Sequence, residues 1–312
     1  MKPSKTIRTK IFITGATGFI GSNFLQHIAH NAKVEVMAVD HKTLDILDRK
    51  GLKKTFRNFE PNIVINFAAH RNANTAEIQR GDKNGSAWQT NVVGLKNIFR
   101  LCQAYKSYLI HISTDMVFSG RRDNKGPYTE KEKPEVYMRY LSWYGWTKAE
   151  GERVLLGQKN TAIIRIGNVT KPIYDPKLDY AGKIIHLYDR NALYPLFDDQ
   201  YLTLTSIPHL FKILDILIRT KKKGIYHATS TNTFTPFELG TYLLKTFRHK
   251  RVVVKRVSID AYLQEFPNRY PKYGGLTGKK TEKILHVRST TWQRIISSFH
   301  TSDLKSHEMI SE

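Results

Sequence analysis

Lys10-Ile11-Phe12-Ile13-Thr14-Gly15-Ala16-Thr17-Gly18-Phe19-Ile20-Gly21 decides how the chain is read. An apolar run of strand length ends in glycines at positions 15, 18 and 21, and a helical pattern over 23–30 follows. Glycines at this spacing let the backbone turn tightly and lie against a diphosphate. The helix start then offers unpaired N–H groups and the positive end of its dipole. Three glycines alone would fit a bare β–α turn. The next strand-like run, 34–39, ends at Asp40, and an acid there can accept from both ribose hydroxyls of an adenosine. Together these features point to a bound dinucleotide. Asp40 favours NAD because it would repel a 2′-phosphate; His41 and Lys42 soften that repulsion and leave NADP open.

Strand-like runs recur at 63–67, 107–113 and 161–166, with helical patterns between them, including 88–104. Strands separated by helices imply an α/β fold with a doubly wound, parallel Rossmann-type sheet. The second half is less regular. Residues 173–201 read mostly as loop with one short helix, 207–219 as an amphipathic helix and 224–227 as a strand returning to the sheet. Thr235 and Pro236 open a further helix as its cap and first residue, and a last helix surrounds 292–299. The tail after His300 is polar and reads as frayed. The expected division is a dinucleotide-binding domain over 1–170 and a smaller C-terminal substrate-binding lobe over 171–312, with about 202–230 returning to the sheet.

The 312 residues carry 50 Lys+Arg against 27 Asp+Glu, a formal net charge of +23. Such a field attracts anions, whether nucleic acid, an anionic membrane or a diphosphate. The charges are scattered, with the tightest clusters at Lys221-Lys222-Lys223, His249-Lys250-Arg251 and Lys279-Lys280. No zinc-finger or RNA-recognition signature accompanies them, so a solvated basic surface is expected and no specific nucleic-acid partner. The single cysteine, Cys102, rules out an intrachain disulfide framework and suits a reducing cytoplasm. The basic start through Lys10 precedes an apolar run too short for a signal peptide. No stretch approaches the ~20 apolar residues of a membrane span. The 12 histidines show no metal-ligand spacing, and His111 and His227, on strand-like runs, read as core or cofactor-wall residues.

Tyr144-Gly145-Trp146-Thr147-Lys148 places a phenol and an ammonium four residues apart, on one face of a helix. Reducing a ketone needs a hydride on carbon and a proton on oxygen. A tyrosine can give that proton if its pKa, ordinarily about 10, is lowered, and a lysine cation beside it does this. Among 16 tyrosines such a match is weak alone. Its position strengthens it, one loop after the strand end Ile112-Ser113-Thr114-Asp115, where an open α/β sheet binds ligands. Thr114 there can donate to a substrate oxygen or merely cap the next turn.

With these residues in place the sequence resembles the extended short-chain dehydrogenases/reductases, and within them the dTDP-4-dehydrorhamnose reductase group, over nearly its whole length. Leu44-Asp45-Ile46 resembles the adenine-side segment, and residues 61–70, ending Phe67-Ala68-Ala69-His70, the strand and turn beside the cofactor. Trp88-Gln89-Thr90-Asn91, with Gly94 and Asn97, is similar to the central helix, and residues 111–120 to the catalytic strand and its loop. Pro127-Tyr128-Thr129-Glu130, Asp198-Asp199-Gln200 and Gly224-Ile225-Tyr226-His227 continue in order. The resemblance implies a hydride passed from NADH or NADPH to the C4 ketone of a nucleotide-linked 4-keto-6-deoxy sugar, in deoxysugar and cell-surface polysaccharide synthesis. Tyr144 would donate the proton, Lys148 would tune it and Thr114 would assist. The cofactor would meet Gly15, Thr17, Gly18, Phe19, Ile20, Gly21, Asp40, Asp45, Ile46, Ala68, Ala69, His70, Asn91, Ser113, Tyr144 and Lys148. The nucleotide-sugar would meet Thr114, Met116, Asn168 and Gln200. A homodimer is compatible with this reading.

Three departures matter. Met116 stands where related 4,6-dehydratases carry a glutamate, and a thioether moves no proton, which argues against dehydration. Asn168 replaces an aromatic residue near the sugar, and Tyr201-Leu202-Thr203-Leu204-Thr205 replaces a Gly-Ser-Pro-Thr-like run. Both loosen the link to rhamnose. Two other readings fit the same scaffold: a nucleotide-sugar epimerase, and a non-catalytic regulatory subunit such as the methionine adenosyltransferase β subunit.

Overall fold

The computed structural model describes residues 8–171, 179–248 and 251–299. The basic start before Arg8, the pair His249-Lys250 and the polar tail from His300 lie outside them. The strands are β1 (Thr9–Thr14), β2 (Val34–Val39), β3 (Ile63–Asn66), β4 (Tyr108–Thr114), β5 (Thr161–Ile166), β6 (Asn168–Thr170), β7 (Leu196–Phe197), β8 (Leu204–Ser206), β9 (Gly224–Ala228) and β10 (Arg256–Val257). Six form one sheet in the order β2-β1-β3-β4-β5-β9, with β1–β2, β1–β3 and β3–β4 running parallel. The chain leaves β1 for β2 on one side and returns with β3 on the other. That reversal is the switch point of a doubly wound sheet, outside whose strand ends ligands bind. β3 and β4 are buried along their whole length, as apolar strands covered on both faces must be.

Contacts divide the chain into two compact units. The first comprises residues 1–117, 142–164 and 214–225, and the second 118–141, 165–213 and 226–312. The grouping is finer than a single cut at 170, because the chain leaves the first unit just after β4 and re-enters it at the helix Trp143–Leu155. Phe12, Leu52, Phe56, Val64, Leu95, Ile98, Leu109 and Leu155 form the core of the first unit. Within the second, Leu239, Leu243 and Leu244 pack with Phe234, Trp292, Ile295 and Ile296. Thr235 caps the Pro236–Phe247 helix in a full capping box with Glu238. Short pairs β6–β8 and β7–β10 lie in the region read from sequence mostly as loop and its flanks, together with the helix Tyr180–Asp189. Strands of two or three residues carry too little periodicity to be seen in one dimension.

The helix expected over 88–104 is broken in kind. A turn Ser86–Trp88 leads into a π-helical segment Gln89–Gly94 and then the α-helix Leu95–Tyr105. π-segments concentrate at functional sites. Here one holds Asn91, whose amide accepts from the His70 N–H (2.9 Å) and donates to the His70 carbonyl (3.1 Å) and to Thr147 Oγ1 (2.9 Å).

Candidate active site

The glycine loop joins β1 to the helix Phe19–Ile28 at the switch point. Gly15 has a φ of +69°, and a Cβ there would sit 2.5 Å from the Ala68 nitrogen just past β3. Only glycine fits both the left-handed backbone and that approach. The helix starts at Gly18 with no side-chain cap, which leaves its first N–H groups for an anion. Asp40 ends β2 as expected. Its carboxylate accepts from the backbone N–H groups of Thr43 and Lys42 (3.0 Å each) and from the hydroxyls of Thr43 and Thr17. The Thr43 N–H above all, and the other donors with it, hold the acid below the usual carboxylate range. Thr17 therefore reaches Asp40.

The other residues expected beside the cofactor are held in different ways. Ile46 is buried and its carbonyl accepts from Asn97, while Asp45 accepts from the Leu47 N–H. Both ring nitrogens of His70 are engaged, with Thr75 Oγ1 at 3.0 Å and Ser86 Oγ at 3.2 Å. Asn91 spends its amide on His70 and Thr147 and so ties the segment after β3 to the Trp143–Leu155 helix. Ser113 is different: its hydroxyl is buried and has no hydrogen-bond partner.

The Tyr144 helix, Trp143–Leu155, is placed by three contacts. Ser142 caps it by accepting from the Gly145 N–H (3.1 Å), and Glu77 accepts from the Trp143 N–H (2.8 Å). A Cβ on Gly145 would stand 2.3 Å from the Met116 carbonyl oxygen, so glycine there lets the helix close on the residue after Asp115. That approach brings the phenol to the end of β4, where it hydrogen-bonds with Thr114. Thr114 Oγ1 also accepts from the Met116 N–H and donates to Asp115 Oδ1, both at 3.2 Å. Phenol, hydroxyl and carboxyl thus form one hydrogen-bonded run.

The charges at this run are held away from their ordinary values. The Tyr144 ring is partly exposed, yet its hydroxyl is enclosed. Burial, reinforced by the Asp115 carboxylate, pushes the phenol up to about 12, against opposing effects from Thr114 and Arg71. Burial raises Asp115 to about 6. Lys148 falls to about 8 because burial penalises its ammonium, while Glu152 pulls the other way. The ammonium is turned inward, donating to the Ile112 carbonyl at 2.7 Å and lying 3.2 Å from His111 Nε2. The lowering of Tyr144 by Lys148, expected from the four-residue spacing, is not what this geometry displays. Helical spacing sets where a side chain begins, and the long lysine stem then follows the interior. Asp115 and Arg71 act on the phenol without having been singled out by sequence. Asp115 was legible only as part of a motif, because nothing local says that a carboxylate at a strand end is buried.

Asn168 and Gln200 belong to the second unit. The Asn168 N–H donates to the Thr203 carbonyl as part of the β6–β8 region. Gln200 is buried with its amide donating to the Pro271 carbonyl (3.1 Å). Among the described residues no group of three or more His, Cys, Asp or Glu could hold a metal ion, and no helix is long and apolar enough to cross a membrane.

The model of the RmlD substrate binding domain family matches residues 9–304. The chain belongs to that family. As a member of the RmlD substrate binding domain family it is 26% identical to the dTDP-4-dehydrorhamnose reductase of Aggregatibacter actinomycetemcomitans, over 93% of this chain and 97% of the relative. It is also 27% identical to methionine adenosyltransferase 2 subunit beta of Xenopus laevis, over 76% of this chain and 72% of the relative. Its fold is that of dTDP-4-dehydrorhamnose reductase from Bacillus anthracis, solved in complex with NADP, at a TM-score of 0.80 and 24% identity. The match covers 94% of this chain and 98% of that one.

Proposed function

We propose that this chain is an NAD(P)H-dependent reductase of a nucleotide-linked 4-keto-6-deoxy sugar. The observation that carries the reading is the Tyr144 phenol joined through Thr114 to Asp115 at the end of β4. The uncapped start of the Phe19–Ile28 helix and the ionised Asp40 fit a dinucleotide, whose diphosphate would lie against residues 15–21 and whose adenosine ribose would meet Asp40. Bound there, the dinucleotide supplies the hydride.

The chain's own residues then handle the proton. Tyr144 Oη gives its proton to the developing alkoxide. Thr114 Oγ1, which donates to the ionised Asp115, can turn its hydrogen to the phenolate once Asp115 has taken a proton from solvent, as its pKa of about 6 allows, and then accepts that proton from Asp115. Lys148 stays cationic at neutral pH and brings the positive charge of the site. Met116, with no acid or base group, argues against dehydration. The single, buried Cys102 suits a reducing compartment, and the reading places the enzyme in the cytoplasm.

The test is a panel of dTDP- and UDP-linked 4-keto-6-deoxyhexoses assayed for oxidation of NADH and NADPH. Turnover with one of them is the expected outcome. The similarity to methionine adenosyltransferase 2 subunit beta carries the second reading, a regulatory subunit. Dinucleotide binding without turnover on any sugar would favour that one. Protein purified with NAD that does not exchange would point to an epimerase.

A further inference from the structure

A row of polar side chains crosses the sheet beneath the site. Thr14, Asn66 and His111 are register neighbours on β1, β3 and β4, and all three are buried. Thr14 Oγ1 donates to Asn66 Oδ1, and Asn66 Nδ2 lies 3.0 Å from His111 Nδ1. His111 Nε2 lies 3.2 Å from Lys148 Nζ. Thr14 immediately precedes Gly15, so the row runs from the glycine loop to Lys148.

The row has two self-consistent polarities. A cationic Lys148 has donors only, so His111 Nε2 must offer its lone pair and the imidazole proton sits on Nδ1. Asn66 then turns its oxygen to His111 and its NH₂ to Thr14. A neutral Lys148 keeps two donors and gains a lone pair, which opens a second arrangement: the imidazole proton sits on Nε2, Asn66 turns its NH₂ to Nδ1 and Thr14 donates to the amide oxygen. The two amide orientations have the same shape. Between the two states Lys148 gives one proton to solvent and the imidazole proton exchanges from one nitrogen to the other. His111 is neutral in both, since burial and the neighbouring Lys148 hold its pKa well below the usual range. The groups facing Lys148 are His111 and the Ile112 carbonyl from β4 and Glu152 from its own helix.

We propose that His111, oriented by Asn66 and Thr14, is a positioning residue that sets the charge of Lys148 and switches tautomer as the lysine loses its proton. The consequence for catalysis rests on the reductase reading, whereas the tautomer switch does not.

The experiment uses the full chain, labelled with ¹⁵N-histidine and free of cofactor, titrated through the pH near 8 where Lys148 deprotonates. His111→Gln assigns the His111 signals among those of the 12 histidines. The expected result is a change from the Nδ1–H to the Nε2–H form without an imidazolium, absent in Lys148→Met. One tautomer throughout, or the same change in Lys148→Met, overturns the proposal. In a second arm NADPH affinity is followed against pH. His111→Phe removes the acceptor and should move the alkaline loss of binding down by about one pH unit. His111→Gln, which keeps an oxygen acceptor, should restore it. A merely structural histidine would lower the melting temperature and leave that limb in place, which counts against the proposal. A tautomer switch with no alkaline limb in the parent protein would uphold the row and count against the reductase reading of Lys148.

Discussion

Asp115 of the first unit and Glu130 of the second are both buried carboxylates, 7% and 3% exposed, but they are treated differently. Glu130 Oε1 accepts from the backbone N–H and hydroxyl of Thr281, both at 2.7 Å, in the first turn of the helix Lys279–Leu285. Two short bonds and a helix start are what a buried carboxylate needs. Asp115 receives a longer bond from Thr114 and the backbone around itself, and its ionised form is left under strain. Glu130 ties two parts of its unit together. Asp115 is held closer to neutrality beside a phenol. Poorly solvated charges held near neutrality mark a working site, because proton transfer is fastest between groups whose affinities lie near the ambient pH.

The comparison can be broken in four ways. Tyr144→Phe removes the group that Asp115 faces. Turnover should fall by ~10²-fold or more, with dinucleotide affinity kept. Near-parental turnover would sink the assigned proton donor. Asp115→Asn comes next. The native carboxyl titrates near 6 and the unfolded one near 3.8, so between these values the folded chain binds more protons. Stability therefore falls as pH rises through that window, and the penalty is complete above it. Asparagine removes the penalty, so the variant should be more stable at neutral pH by up to about 3 kcal/mol, and equal to the parent in acid. Chemical denaturation at two pH values reads this, and a destabilised variant at neutral pH would refute the account of Asp115. Glu130→Ala should do the reverse, costing about 1–3 kcal/mol by orphaning the Thr281 N–H, with kcat unchanged. A large loss of kcat at full folding would erase the contrast between the two acids. Asp40→Ala should have the smallest effect, weakening NAD about tenfold, as the loss of one charged hydrogen-bond acceptor does, and NADP less. Equal losses for both would remove Asp40 from the ribose.

Local spacing made much of the fold legible. The run from Lys10 to Gly21, the acid after β2 and the alternation of strand and helix are patterns of near neighbours, and backbone sterics convert them into one kind of turn and one kind of sheet. The Thr235 cap and the Pro236 helix start were readable for the same reason. The π-segment Gln89–Gly94 was not, because it depends on Asn91 reaching His70 and Thr147, 21 and 56 residues away.

By itself the sequence determined the glycine turn after β1, the doubly wound sheet and the presence of Tyr144 four residues before Lys148. Only the tertiary structure decided what charge those side chains carry and whom they address. It joined Tyr144 to Thr114 and Asp115 across a closing helix, and turned Lys148 to His111, 37 residues away, which meets Asn66 a further 45 residues back. The physical reason is that a pKa answers to burial and to neighbours in space. The chain order fixes neither until β1, β3 and β4 lie side by side.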